Sequence, residues 1–214
     1  MSTTIATGLP KESRTERRRR ETRQRLVDAA EGLMSSGPID EIQIKHITEA
    51  ADVGHGTFYV HFKSKYEILL PIVQRRAARW DQLIQAALPR DDDPAHVMVW
   101  SGRQMSRLMQ ADPVWQWLLS ESGMPAADIK AAIGAYTARD MERGIASGRF
   151  TIPDVNVANE FMFGAYVNTL LASFTAEDPG HMIDTMMELM MRVLGVDPAE
   201  AAQLAHEAFE PLTP

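Results

Sequence analysis

The sequence predicts an all-α chain: an N-terminal helix-turn-helix domain followed by a larger helical domain, about nine to ten helices in all. Three observations carry this. Residues 43–70 read as helix, tight turn, short helix, break, helix. Beyond them, apolar residues recur at helical spacing in segments closed by Gly, Pro or Asp. Two late segments, 154–176 and 179–194, are apolar almost all round, which a helix tolerates only when buried on both sides.

Residues 1–16 are predicted to be a disordered basic arm, since the stretch is small, polar and interrupted by Pro and Gly. Arg17, Arg18, Arg19 and Arg20 follow, with Lys11, Arg14, Arg23 and Arg25 near them. Such a run can follow a phosphate backbone or enter a minor groove, or simply keep a tail solvated. The first helix is predicted over 21–35, with Leu26, Ala29, Ala30, Leu33 and Met34 on one face and Gly37-Pro38 ending it. A second spans 43–51 on Ile44, Ile47 and Ala51. Asp52 tolerates the left-handed conformation that ends a helix, and Gly54 can begin the next. The third spans 55–62. Phe58 and Phe62 lie four apart and share its inward face, leaving Gly56, Thr57, Tyr59, Val60 and His61 largely outside. Two short helices around such a turn make a helix-turn-helix, whose second helix can enter a DNA major groove.

The outward residues suit that task. Thr57 and Tyr59 carry hydroxyls for phosphate oxygens, and the Tyr59 ring can lie against a sugar or a thymine methyl. His55 and His61 can donate to phosphate or to a base edge. Gly56 removes a side chain where the helix start must approach DNA. Ser64 and Glu67 form a capping box for a fourth helix, which places Lys65 in a first turn, where a bound phosphate would offset the unfavourable dipole. Taken singly, Tyr59 and His61 are equally ordinary half-buried residues and Lys65 a solvated charge. The string is far more specific than its parts.

Ile47, Ala51, Val53, Gly56-Thr57-Phe58-Tyr59, His61-Phe62 and Ser64-Lys65 through Leu69 resemble the DNA-binding domain of the tetracycline-repressor (TetR) family, over roughly residues 20–70. The resemblance implies an all-helical homodimer with a larger, variable ligand-binding domain. By position, Gln43, Lys45, His55, Thr57, Tyr59, His61 and Lys65 resemble the family's DNA-contacting set. Gln43 stands where Thr or Ser is common, Asp52 replaces the usual Gly, and Gly54 the usual Ser or Thr. These departures weaken the helix caps by about 1 kcal/mol each. The domains expected are 17–66 for DNA binding and 67–214 for ligand binding and dimerisation.

The fourth helix is predicted over 64–88, with Pro71 inside it as a kink or hinge. Asp91, Asp92 and Asp93 lie in a solvated loop and do not converge on one face, so no metal site is expected. Helices follow over 95–110, over 113–122 with Asp112 as cap and Pro113 at its first position, over 126–147 with Gly148 ending it, over 154–176, over 179–194 and over 198–209. The two helices of 154–194 are expected to form a four-helix interface with a second copy about a two-fold axis, with Met187 a test position.

A ligand pocket is implied by the resemblance. The middle helices offer a soft lining of Trp100, Met105, Leu108, Trp115, Trp117, Tyr136, Met141, Phe161, Met162 and Tyr166, with Arg103, Gln104, Arg107 and Asn168 as polar groups. The same pattern also describes plain core.

Net charge is −7, but it is divided unevenly. Residues 1–80 hold 14 Lys/Arg and 10 Asp/Glu, net +4, and residues 81–214 hold 8 and 19, net −11. Only the N-terminal part is built to meet a polyanion. The absence of cysteine excludes disulfides and thiol chemistry and fits a reducing cytoplasm. No apolar run is long enough to span a membrane. No catalytic constellation is evident: His46, His55 and His61 lack metal spacing, and His96, His181 and His206 stand alone. No cofactor is expected. The function expected is therefore a repressor released from a near-palindromic double-stranded DNA operator by a small apolar or amphipathic effector. The alternative is a helical ligand-carrying or structural dimer without specific DNA binding.

Overall fold

The computed structural model describes residues 13–37, 39–88 and 93–212. The chain divides into two compact units, Met1–Ile68 and Leu69–Pro214. The described residues form ten α-helices and no strand. None of these helices is long and apolar enough to cross a membrane.

The first unit holds α1 (Arg14–Met34), a 3-10 turn (Ile39–Glu41), α2 (Ile44–Ala50) and α3 (His55–His61). Its core takes Leu26, Ala30 and Met34 from the expected face of α1, adds Val27 and leaves Ala29 and Leu33 half-buried; these close on Ile47, Ala51, Phe58 and Phe62. Asp52 takes a positive φ of 52°, ending α2 in the left-handed conformation that Asp accepts more readily than most side chains. Gly54 is the N-cap of α3 and offers no side-chain bond.

Three expectations are corrected here. The first helix begins at Arg14 rather than residue 21, so residues 13–16 are not disordered and Arg17–Arg20 are helical. Ser13 and Glu16 form a reciprocal capping box that starts the helix early, and an Arg17–Glu21 pair supports its next turn. Residues 1–12 of the expected arm lie outside the described residues. The fourth helix begins at Leu69, not at Ser64. The Ser64 hydroxyl does accept from the Glu67 N–H, but the Glu67 carboxylate reaches back to the N–H of Lys63 instead of Ser64, and residues 65–68 remain turn. That start puts Pro71 at the third helical position, where a backbone N–H has no partner within the helix anyway. Pro71 therefore opens the helix at little cost, and the interior kink falls away.

The second unit holds α4 (Leu69–Ala87), α5 (Pro94–Ala111), α6 (Pro113–Ser120), α7 (Ala126–Ala146), α8 (Val155–Ser173), α9 (Pro179–Val193) and α10 (Pro198–His206). Four of these helices begin with an Asp cap followed by a proline: Asp93, Asp112, Asp178 and Asp197 each accept from N–H groups of the first turn. Asp154 caps α8 in the same way. Helix α5 is the hub, packing on α4, α6, α7, α9 and α10. Gly102 lets it approach α9 closely, since a Cβ there would come within 2.7 Å of Met187 Cε.

Candidate DNA-binding surface and effector cavity

The outer face of α3 is exposed. Tyr59 and Val60 are 54% and 63% accessible, and His55 and Gly56 are also exposed, with Thr57 and His61 half-buried. Phe58, fully buried, and Phe62, 3% accessible, anchor the helix from beneath. The Tyr59 ring stands edge-on to both His55 and Phe58, at 5.6 Å each, so its orientation is held before any partner arrives. A Cβ at Gly56 would meet nothing within 4 Å. The protein's own packing thus does not demand glycine there.

The other predicted contacts are placed as follows. Gln43 and Lys45 are exposed at the start of α2, with Lys45 3.7 Å from Glu49. Arg17, Arg18, Arg19 and Arg20 are exposed on α1. Burial, and then the positive charges of Arg19 and Arg23, push the His61 imidazole below its ordinary pKa. Helix α1 therefore brings Arg19 and Arg23 beside α3, and the Arg23 guanidinium sits over the Phe62 ring at 4.8 Å. Lys65 is not a purely solvated charge. Its ammonium donates to the carbonyls of Asp40 and Ile42, at 2.7 and 3.5 Å, while the neighbouring Tyr66 hydroxyl donates to the Asp40 carboxylate at 2.6 Å. These bonds pin the 64–68 turn to the 3-10 segment.

In the second unit a largely apolar cavity of about 60 Å³ opens among α4, α5, α7, α8 and α9. Of the predicted ligand residues it brings together Met105, Tyr136 and Tyr166. The others lie elsewhere. Trp115 is 1% accessible and packs against Trp80 at 5.8 Å, and Leu108 and Met162 are also core. Phe161 is 58% accessible on α8, and Trp117 is half-buried on α6. Trp100 and Arg103 line a different cavity of about 200 Å³ beneath the C-terminal segment, with Phe209 among its walls. There Arg103 pairs with Asp184 at 2.8 Å, donates to the Glu207 carbonyl at 2.7 Å and lies 3.9 Å from the Phe209 ring centre. Gln104, fully buried, donates to the Glu210 carbonyl and accepts from the Leu212 N–H, both at 2.8 Å. Both residues hold the segment 207–212 in place instead of facing the first cavity.

The charged group inside that first cavity escaped the sequence reading. Arg139 donates to both oxygens of Asp81, at 3.2 and 3.1 Å, and to both oxygens of Asp140, at 3.0 and 3.4 Å. The two carboxylates hold its pKa above the usual arginine range despite burial. Asp140 is only 6% accessible. A signal was present: Ile133, Tyr136, Thr137 and Asp140 share one helical face by spacing, so an acid interrupts an otherwise inward stripe. Tyr136 has its phenol pushed upward, first by burial and then by the Asp81 charge. Burial raises the Tyr166 phenol to about 12, and its hydroxyl lies 3.0 Å from Ser106 Oγ. Among the described residues no cluster of His, Asp or Glu is arranged to hold a metal.

Comparison with known proteins gives these features a setting. Residues 26–72 match the model for bacterial regulatory proteins of the tetR family, and residues 93–207, more than half of the chain, match the tetracyclin repressor-like C-terminal domain. The HTH-type transcriptional repressor KstR of Rhodococcus jostii is 27% identical over 198 residues, covering 90% of this chain and 92% of its own. The HTH-type transcriptional regulator EthR of Mycobacterium tuberculosis is 26% identical over 216 residues, covering 88% and 95%. The crystal structure of RolR in complex with resorcinol superposes with a TM-score of 0.81 at 28% identity, over 92% of this chain and 99% of that one. A recognition helix with an exposed polar face and a second helical unit enclosing a cavity are thus found in a chain matched by family models at both ends, and the chain belongs to the TetR family of DNA-binding transcriptional regulators.

Proposed function

We propose that this chain is a repressor that holds a near-palindromic operator as a homodimer and releases it when a small amphipathic molecule enters the Arg139 cavity. The observation that carries this reading is the pairing, in one chain, of a pre-oriented recognition helix with an interior space that no side chain fills. TetR-family regulators bind operators, dimerise and respond to small molecules. Residues 17–66 are assigned to DNA and 67–214 to effector and dimer. The DNA contacts assigned are Gln43, Lys45, His55, Gly56, Thr57, Tyr59, His61, Lys65 and the Arg17–Arg20 run, with Gly56 leaving room for a phosphate backbone to come close.

The dimer interface is assigned to α8 and α9. Phe161, Leu171, Leu189 and Val193 are 58%, 37%, 55% and 43% accessible, an unusual apolar display that a second copy would cover. Met187 is not part of it: at 2% accessible it belongs to the subunit's own interior and to the cavity wall.

For the effector, the cavity's size favours a small molecule. About 60 Å³ of open space is well below the ~300 Å³ at which pockets for drug-sized ligands begin. That RolR is solved with resorcinol supports an effector of about one ring. The effector acts only through its differential affinity for the DNA-competent and DNA-incompetent states.

The test is a fluorescence-anisotropy titration of the full chain against genomic fragments, with and without an extract of small metabolites. Tight binding to one near-palindromic fragment, relieved by part of the extract, is expected. Weak, salt-sensitive binding to every fragment alike would reject the repressor reading.

A further inference from the structure

The chemistry of the effector can be read from the unspent hydrogen-bonding capacity of the Arg139 cavity, on the premise that this cavity is where the effector sits. Its wall is mostly aliphatic and thioether, with Ile84, Met98, Met105, Ile133, Met187 and Met190. Set into it are one guanidinium, two carboxylates and the hydroxyl-bearing Ser101, Tyr136, Thr137 and Tyr166, the last already bonded to Ser106. Most of the N–H donors of Arg139 are spent on Asp81 and Asp140. Each carboxylate oxygen can accept more than the bond it already receives. The cluster therefore carries one surplus negative charge, and its remaining capacity is for a donor.

A second group points the same way. Ser101 lines the same cavity, is 9% accessible, and its hydroxyl oxygen is buried with no hydrogen-bond partner. An orphaned buried hydroxyl is costly unless something meets it. A pure hydrocarbon would leave it orphaned. An anionic ring would face the surplus negative charge of the cluster and would be driven out or forced to take up a proton. An ammonium would balance that charge but must give up its hydration among methionine and isoleucine side chains, which costs more than burying a hydroxyl.

We infer that the effector is an uncharged, hydroxyl-bearing small ring whose O–H donates to the Asp81–Asp140 carboxylates and whose second polar atom bonds Ser101. A simple phenol, with a pKa near ~10, remains protonated and able to donate at neutral pH. Arg139 then acts by holding the two acceptors in place.

The test is calorimetric titration of the full chain with one-ring probes: phenol, 1,3-dihydroxybenzene, toluene, benzoate and benzylamine. The dihydroxy ring should bind at least about 10-fold more tightly than toluene, benzoate or benzylamine, as one further satisfied buried hydrogen bond implies. Ser101→Ala should weaken it by about 10-fold while the thermal midpoint reports an intact fold. Asp140→Asn should weaken the hydroxylated rings and narrow their advantage over benzoate, and if that variant fails to fold, Ser101→Ala alone decides. Benzoate or benzylamine binding as tightly as the dihydroxy ring, no change in Ser101→Ala, or no binding of any probe would each overturn the inference. Operator release by a metabolite extract without binding of the probes would leave the repressor reading standing and remove this one. Tight binding of the dihydroxy ring without any specifically bound DNA fragment would do the reverse.

Discussion

Lys65 holds one place in the fold and is proposed for a second at the phosphate backbone. Its ammonium ties two carbonyls of the 3-10 segment, and its sequence position matches a phosphate contact. Lys65→Ala should therefore lower folding stability by about 1 kcal/mol, the worth of a charge-assisted surface bond, and also make the salt dependence of DNA affinity shallower by about one unit. Denaturant unfolding reads the first effect and a salt titration the second; loss of stability with an unchanged slope would make Lys65 purely structural. His61 gives a sign that can be checked. In the free protein its pKa is depressed by burial and by Arg19 and Arg23, so the unfolded chain takes up this proton more readily, and the residue's contribution to stability is lost as pH falls through about 6.5. A phosphate backbone reverses the balance by favouring the imidazolium. DNA affinity should thus rise as pH is lowered from 8 toward 6, and His61→Gln should flatten that rise. An identical profile in the variant would put the proton elsewhere.

Among the elements, helices α5 to α10 were legible because their signals are local. Asp caps, first-turn prolines and glycine stops are read from a few adjacent residues, and α6 starts at Pro113 as the Asp112-Pro113 pair required. The starts of α1 and α4 depart from the expected ones for two different reasons, the first local and the second long-range. Ser13–Glu16 closes reciprocally and starts a helix; Ser64–Glu67 closes one residue off register, and Lys65 and Tyr66 are drawn to Asp40. That competition runs between residues 25 and 26 apart, which no local pattern contains. The cavity was harder still. Tryptophan and methionine were the obvious candidates, but which of them are core depends on helix packing, and Trp115 went to the core while Asp81 and Asp140 went to the cavity. For α8 and α9, apolarity all round was plain in sequence, yet only the packed subunit separates Met187 from Leu189. Leu189→Glu should halve the mass seen by light scattering with little loss of thermal midpoint. Met187→Glu should instead unfold the subunit, since a charge there would be buried without a partner. A full-mass Leu189→Glu would move the interface off α9.

The whole molecule carries its charge in two opposed parts, with the basic share in residues 1–80 and the acidic share beyond them. Such a distribution lets a net-acidic protein meet DNA through its basic residues, and it makes association fast at low salt and slow at high salt. The end of the chain has a different kind of consequence. The last described residues are stitched to α5 by Arg103 and Gln104, side chains 5% and 0% accessible. Deleting residues 207–212 would strip partners from a buried guanidinium and a buried amide together, so this segment is a poor place for a reporter dye, an inserted tag or a surface tether. Any such attachment that pulls residues 207–212 loose would disturb the same helix that carries Ser101 and Met105, and would register as an altered response to effector when nothing in the cavity itself had been touched.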